Sequence, residues 1–176
     1  MELARLRSEP VQYVIRAGIY AVVVYVVASL LPVERVTSQA TAQVVTLLGM
    51  KASWYEQNGH HYIEYLYISI DCTAMEVVAL FIGMIMAAKA ELRRRVVFAV
   101  TGSAAVITVN IGRIGAVYYL LEHDIPWVLA HDLFSGGLAI GSGMLFLLAS
   151  ERYLPQINQN LYTLLDMIEG ALLRKV

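Results

Sequence analysis

Four stretches of the chain are apolar without the two-residue alternation of a half-buried strand: Ala17 to Val33, Thr73 to Ala88, Val96 to Leu121, and about Leu133 to Ala149. Each is too long for a strand. A membrane crossing needs about 20 mostly apolar residues to traverse about 30 Å of hydrocarbon, so each stretch predicts a transmembrane helix. Between the first two, Val36 to Met50 is rich in Val, Thr, Ala and Leu and reads as a short helix at the membrane interface. Trp54-Tyr55-Glu56-Gln57 then runs into Asn58-Gly59, a dipeptide suited to a type I′ turn. His60 to Ile70 (HHYIEYLYISI) follows, crowded with aromatic and β-branched residues. Together they predict a β-hairpin at the membrane surface, its tyrosines in the aromatic belt. Near the C-terminus, Ile157, Leu161, Leu164, Leu165, Ile168 and Leu172 recur at helical spacing, which marks residues 156–172 as a helix lying on lipid or on the bundle.

The expected fold is an all-α membrane protein, a single integral membrane domain over residues 1–176. It is a four-transmembrane-helix bundle with an extracytoplasmic β-hairpin between helices 1 and 2 and an amphipathic C-terminal cytoplasmic helix. Lys and Arg in the short loops set its orientation. With the N-terminus inside, the cytoplasmic side collects Arg5, Arg7 and Arg16, then Lys89, Arg93, Arg94 and Arg95, then Arg152, Arg174 and Lys175. The outer side keeps only Arg35 and Lys51. Both termini are therefore expected in the cytoplasm, with residues 34–72 and 122–131 outside and 89–95 and 151–176 inside. A secretory signal is the competing reading of the first span. Its apolar run is at the long end for a signal, and Pro32-Val33-Glu34 is a poor cleavage site, which favours a retained anchor.

Composition agrees with this picture. Of 176 residues, 59% are hydrophobic and 15% charged, against about 25% charged in an ordinary soluble domain. Mean hydropathy is +0.62. Such values exclude a disordered chain, a soluble enzyme and a disulfide scaffold. A net charge of -1 offers no basic excess for nucleic acid. The single cysteine, Cys72, is a free thiol.

Polar groups inside a membrane are costly, so each is a candidate for function. Arg113 lies about eight residues before the outer end of its span, roughly 12 Å deep. Asn110 is three positions earlier on the same helix face. Glu76, four positions after Cys72, is placed on the face of that cysteine in the outer part of the second span. The structural alternative is an ion pair between Glu76 and Arg113 that only ties two helices together. Cys72 opens the second span after Asp71 and before Thr73, where the positive end of a helix macrodipole favours a thiolate. A small packing hydrophobe is the alternative. His131 opens the fourth span, with Asp132 beside it able to orient the imidazole. Cysteine-nucleophile acyl transfer needs a thiolate, a proton shuttle and a fixed donor for the oxyanion, and three separate segments offer these at one depth.

His60 and His61, next to the hairpin turn, read as solvated, and His123 either caps the third span or reaches the site. No histidine spacing matches a metal-ligand pattern, and neither metal nor cofactor is expected. Gly136-Gly137 and Gly141-x-Gly143 read as small residues for close helix packing.

Cys72-Thr73-Ala74 at a helix start, Asn110-Ile111-Gly112-Arg113 within the next span, and His131 followed by Gly136 resemble the exosortase/archaeosortase family. That family shows a Cys-Ser/Thr-Gly/Ala motif, then Asn-x-x-Arg, then His followed within a few residues by Gly. The resemblance covers about Ile63 to Ala149, and the chain looks like a minimal form with fewer spans than the larger members. It implies a membrane-embedded cysteine transpeptidase or protease of the cell membrane, its site on the extracytoplasmic side. The implied partners are substrate proteins whose C-terminal sorting tag joins a short motif, a transmembrane helix and a basic cluster. By analogy with sortases, Cys72 would form a thioester, Arg113 would stabilise the oxyanion, and His131 would shuttle the proton. Asn110, Glu76, Asp132 and Thr73 would support them, and the acceptor would be a lipid amine, another amine or water. A different class remains open: a non-enzymatic transport or assembly subunit with a structural Glu76–Arg113 pair.

Overall fold

The computed structural model describes residues 8–173, so the basic residues Arg5, Arg7, Arg174 and Lys175 lie outside the described residues, as does the side chain of Leu172. The chain is mostly helical. Helix α1 (Glu9–Ser29) is followed by α2 (Val33–Leu47), then β1 (Trp54–Gln57), β2 (His60–Ile63) and β3 (Leu66–Ile68). A 3-10 turn, Ile70–Thr73, leads into α3 (Met75–Ala87). Helix α4 (Leu92–Glu122) comes next, then a π-helical stretch, Val128–Leu133, that runs directly into α5 (Phe134–Tyr153), and last α6 (Gln156–Leu173).

Among the described residues, three helical segments are long and apolar enough to cross a membrane: α1, α4, and Val128–Tyr153. The fourth expected span falls short. With 13 residues, α3 extends only about 20 Å at 1.5 Å per residue, against about 30 Å of hydrocarbon. Thr73 and Ala74, expected at its start, instead end the 3-10 segment and take a left-handed conformation, respectively. The other boundaries differ by where the chain bends. Helix α1 starts at Glu9, eight residues before the apolar run, because Pro10 in its first turn is preorganised for a helix start. It ends at Ser29, before Pro32.

The expected hairpin is present, with one addition. Asn58 (φ 53°) and Gly59 (φ 77°) both occupy the left-handed region that a type I′ turn requires. The expected second strand is interrupted, however. Glu64 takes φ 51° and turns the chain again, so β3 returns beside β2 and the sheet has three strands in the order β1-β2-β3. The fold is therefore mostly helical with a small three-stranded sheet in place of the expected hairpin. Register pairs Tyr55 with Tyr62 and Tyr62 with Tyr67, which builds an outward aromatic ladder. The inward face carries Ile63, Leu66 and Ile68, all buried against Ala42 and Val45 of α2 and Ile114 and Tyr118 of α4. Alternation across the pleat thus docks the sheet on one end of the bundle.

A second core lies nearer the other end. Tyr13 and Ala17 of α1 meet Phe81 and Ile85 of α3, and Phe146 of α5 stacks on Phe81 with ring centroids 3.9 Å apart. At that end Lys89 Nζ lies 2.8 Å from Glu9 Oε2. Helix α6 docks there by its first turns, with Ile157 fully buried and Asn158 donating to the Leu147 carbonyl at 2.9 Å, while Leu165 and Ile168 remain exposed. The glycines of α5 do not serve close packing within the chain: a Cβ at Gly136, Gly137, Gly141 or Gly143 would meet nothing within 4 Å. The tight contact is at Gly83, which faces Ala17 and Ala21 of α1. Exposed apolar rows such as Val22, Val23 and Val26 on α1 and Leu145 and Leu148 on α5 suit a lipid environment.

Candidate active site

The site is built on the turn that begins at Ser69. The Cys72 N–H donates to the Ser69 carbonyl at 3.0 Å. Thr73 closes the turn from the other side: its hydroxyl donates to the Ile70 carbonyl at 2.6 Å and accepts the Met75 N–H at 3.4 Å. Ala74 follows at φ 59°, a conformation that costs an L-residue roughly 1–2 kcal/mol. The turn is held from α4 as well, because Asn110 Nδ2 donates to the Cys72 carbonyl at 2.7 Å. Asn110 is buried, and its amide fixes the cysteine backbone from a neighbouring helix. Ser69 Oγ lies 3.6 Å from the Cys72 sulfur.

The left-handed Ala74 gives a direct test. Ala74→Gly is expected to stabilise the protein and raise its thermal midpoint in detergent, and Ala74→Val to destabilise it and lower the midpoint, each by a stability change of about 1 kcal/mol. Equal midpoints for both variants would contradict the strain at this position.

Cys72, Arg113 and His131 line one cavity of about 460 Å³, which β3, α4 and the π-helical stretch enclose. Arg113 is half-buried, and its buried Nε has no hydrogen-bond partner. Among the described residues it makes no ion pair. The Cys72 sulfur lines the same cavity. His131 Nδ1 lies 2.9 Å from Asp132 Oδ1. A carboxylate can only accept, so in this pair Nδ1 carries the proton, and in the neutral imidazole Nε2 is then the acceptor. The imidazole is also stacked on Trp127, centroids 4.5 Å apart and planes within 11°. Tyr65 closes the rim: its hydroxyl donates to Glu122 Oε1 at 2.9 Å, and desolvation aided by that carboxylate pushes its pKa up to about 12. It therefore stays protonated at any physiological pH.

Thr73, Asn110 and Asp132 thus each touch the cysteine turn or the imidazole, while Glu76 does not reach the cavity. It is exposed and lines a separate groove with Ala21, Val22 and Tyr25 of α1. The physical reason is the break at Ala74. Cys72 is not in the helix that carries Glu76, so four residues of separation no longer put them on one face. The Glu76–Arg113 pair on which the non-enzymatic reading rested is not formed. His123 caps α4, its Nδ1 2.8 Å from the Tyr119 carbonyl. His60 packs edge-on against Tyr67, and His61 lies 4.0 Å from Glu56. Among the described residues no group of three or more His, Cys, Asp or Glu is placed to hold a metal.

Two contributors lay outside the sequence reading. Trp127 sits four residues before His131, a spacing visible in the sequence, but its role depends on a helical turn starting before the apolar run. Ser69 reaches the sulfur only through the 3-10 turn, which leaves no local signature. A protein-family model described as transmembrane exosortase matches residues 4–149, from α1 through most of α5, with α6 beyond it. No curated protein and no solved structure matches the chain.

Proposed function

Because the chain belongs to the transmembrane exosortase family, we propose that it is a membrane-embedded cysteine transpeptidase acting on the C-terminal sorting tag of membrane-tethered proteins. The observation that carries this reading is the convergence of Cys72, Arg113 and His131 on one cavity, in which Arg113 has no counter-ion among the described residues. A half-buried cation without a partner is costly, and a site that generates an anion during the reaction supplies one.

The chemistry follows from the positions. His131 Nε2 takes the thiol proton, and the Cys72 sulfur attacks the carbonyl carbon of the scissile peptide bond. As the S–C bond forms, the carbonyl oxygen becomes an oxyanion that the Arg113 guanidinium neutralises. Collapse breaks the C–N bond, and the imidazolium gives its proton to the leaving amine. A thioester remains. In the second half His131 takes a proton from an amine, a lipid amine or water, which attacks the thioester, and the sulfur leaves and is reprotonated. Asp132 holds the tautomer this requires. Thr73 and Asn110 act as positioning residues through the turn that presents the sulfur.

A short α3 is consistent with a nucleophile set below the outer surface, level with the upper end of a substrate helix lying beside the bundle. The substrate's basic cluster then stays on the cytoplasmic side, which keeps register. The test is capture of the intermediate. On mixing with a membrane protein that ends in a short motif, an apolar span and a basic cluster, Cys72 is expected to carry an acyl adduct that hydroxylamine releases. A membrane-impermeant maleimide applied to intact cells is expected to label Cys72. Normal tag processing by Cys72→Ala in a correctly inserted protein would reject the proposal.

A further inference from the structure

We infer that the open edge of β3 is the docking strand for the substrate: an extended peptide segment adds to the sheet as a fourth strand and leads its scissile carbonyl to Cys72. This rests on the transpeptidase reading above and adds to it the conformation in which the tag is bound.

The pairing pattern leaves that edge free. Residues flanking a two-residue hairpin turn exchange hydrogen bonds, and the pattern then alternates along the ladder. Ile63–Leu66 and His61–Ile68 are therefore the bonded pairs, and Tyr62–Tyr67 is the non-bonded pair between them. The β1–β2 ladder agrees, since counting from Gln57–His60 makes Tyr55–Tyr62 a bonded pair and points the main chain of Ile63 toward β3. The N–H and C=O of Tyr67 thus project away from β2, and β3 has no neighbour on that side among the described residues. Ser69, two positions on and extended at φ -87° and ψ 173°, turns its N–H the same way. Among the described residues neither Tyr67 nor the Ser69 N–H finds a main-chain partner elsewhere.

That edge borders the cavity. Every residue from Tyr65 to Ser69 lines it, although Leu66 and Ile68 point inward and are buried while Tyr67 points outward and is 47% exposed. Successive side chains on a strand face opposite sides, so what these residues share toward the cavity is the strand's edge. Proteins usually blunt an open edge with Pro, Lys or a bulge. The sequence Leu66-Tyr67-Ile68-Ser69 carries none of these, and across the cavity from it lie Trp127, His131 and Arg113. The edge also ends where the chemistry begins, with Ser69 Oγ 3.6 Å from the sulfur. A peptide paired there uses main-chain bonds for affinity and alternate side chains for specificity.

Proline at position 67 removes the outward N–H and no bond to β2, a change that an edge strand tolerates. Tyr67→Pro is expected to raise KM for the tag-bearing protein about fivefold to tenfold with a smaller change in kcat. The rate of Cys72 labelling by a small maleimide should stay unchanged. Glu56→Pro makes the equivalent change on the far edge of β1 and is expected to leave KM unaltered. A second measurement leaves this chain intact: a proline scan of the substrate's tag motif is expected to raise KM at alternate positions. A flat scan would overturn the docking strand even if Tyr67→Pro fails to fold. If Cys72→Ala abolishes processing while the scan is flat, only the strand is refuted. If Cys72→Ala still processes the tag, the transpeptidase reading falls and takes the strand with it.

Discussion

Arg113→Ala is expected to lower the rate of tag cleavage about 10²–10³-fold, the loss typical when one preorganised oxyanion donor is removed. The loss should fall on kcat rather than KM, because the charge it neutralises exists only once the carbonyl is under attack. Arg113→Lys is expected to recover only part of the rate. An ammonium keeps the charge but not the planar fork of donors, and its shorter reach from α4 places it differently in the cavity. Cys72→Ala should go further, to the uncatalysed background. The two effects are not additive: in a Cys72→Ala background, Arg113→Ala should change nothing more, since no oxyanion forms. Fold is checked by the thermal transition and, in the Arg113 variants, by Cys72 labelling. An Arg113→Ala protein that inserts, melts normally and cleaves at the full rate would remove the oxyanion role. The unpaired Nε would then need another ligand to explain it.

Much of this arrangement was legible in the sequence, and the failures have identifiable causes. Asn58-Gly59 gave the hairpin because few residue pairs accept two consecutive left-handed conformations. The second turn was invisible because Glu64, an ordinary helix former, occupies the same region at φ 51°. Arg113 and Asn110 could be placed together because α4 is continuous, so three positions keep one face. Glu76 could not be placed from Cys72, because a left-handed residue intervenes and resets the phase. Hydropathy located the apolar helices but not their ends, and α3 is too short to count as a span. Proline in a first turn and a 3-10 segment shift boundaries without changing the apolar content. Conversely, the glycines that attract the eye in α5 have open space beside them, whereas the isolated Gly83 in an apolar run carries the closest helix contact.

Gly83→Ala is therefore expected to be among the most damaging single-methyl changes in the protein. A Cβ there would lie 2.9 Å from both the Cβ and the backbone N of Ala21, and closer still to the carbonyl oxygen of Ala17. Two of these three atoms are main chain of a helix, which cannot swing aside as a flexible side chain would. Helices α1 and α3 must separate instead. In a membrane, helix association depends on such close packing and not on burial from water, so the separation is not compensated by exclusion of solvent. Overpacking typically costs about 1–3 kcal/mol, and Gly83→Leu should exceed that range. The neighbouring contacts suffer together: Tyr13 donates to the Met84 carbonyl at 3.0 Å across the same interface, and Phe81 and Ile85 pack on it. Function should decline with stability, because α3 carries the Cys72 turn at its upper end while Arg113 stands on α4. A shift of α3 moves the sulfur relative to the guanidinium, and a misplacement of about 1 Å can cost 10²-fold in rate. Ala21→Gly is a useful partner variant. It removes the clash with the Ala21 side chain but leaves the Ala17 carbonyl, so it should rescue Gly83→Ala only slightly. Full rescue would mean that the side-chain contact, and not the backbone, limits how closely the two helices approach. An unchanged thermal transition in Gly83→Ala would show that the α1–α3 interface is looser than this geometry requires.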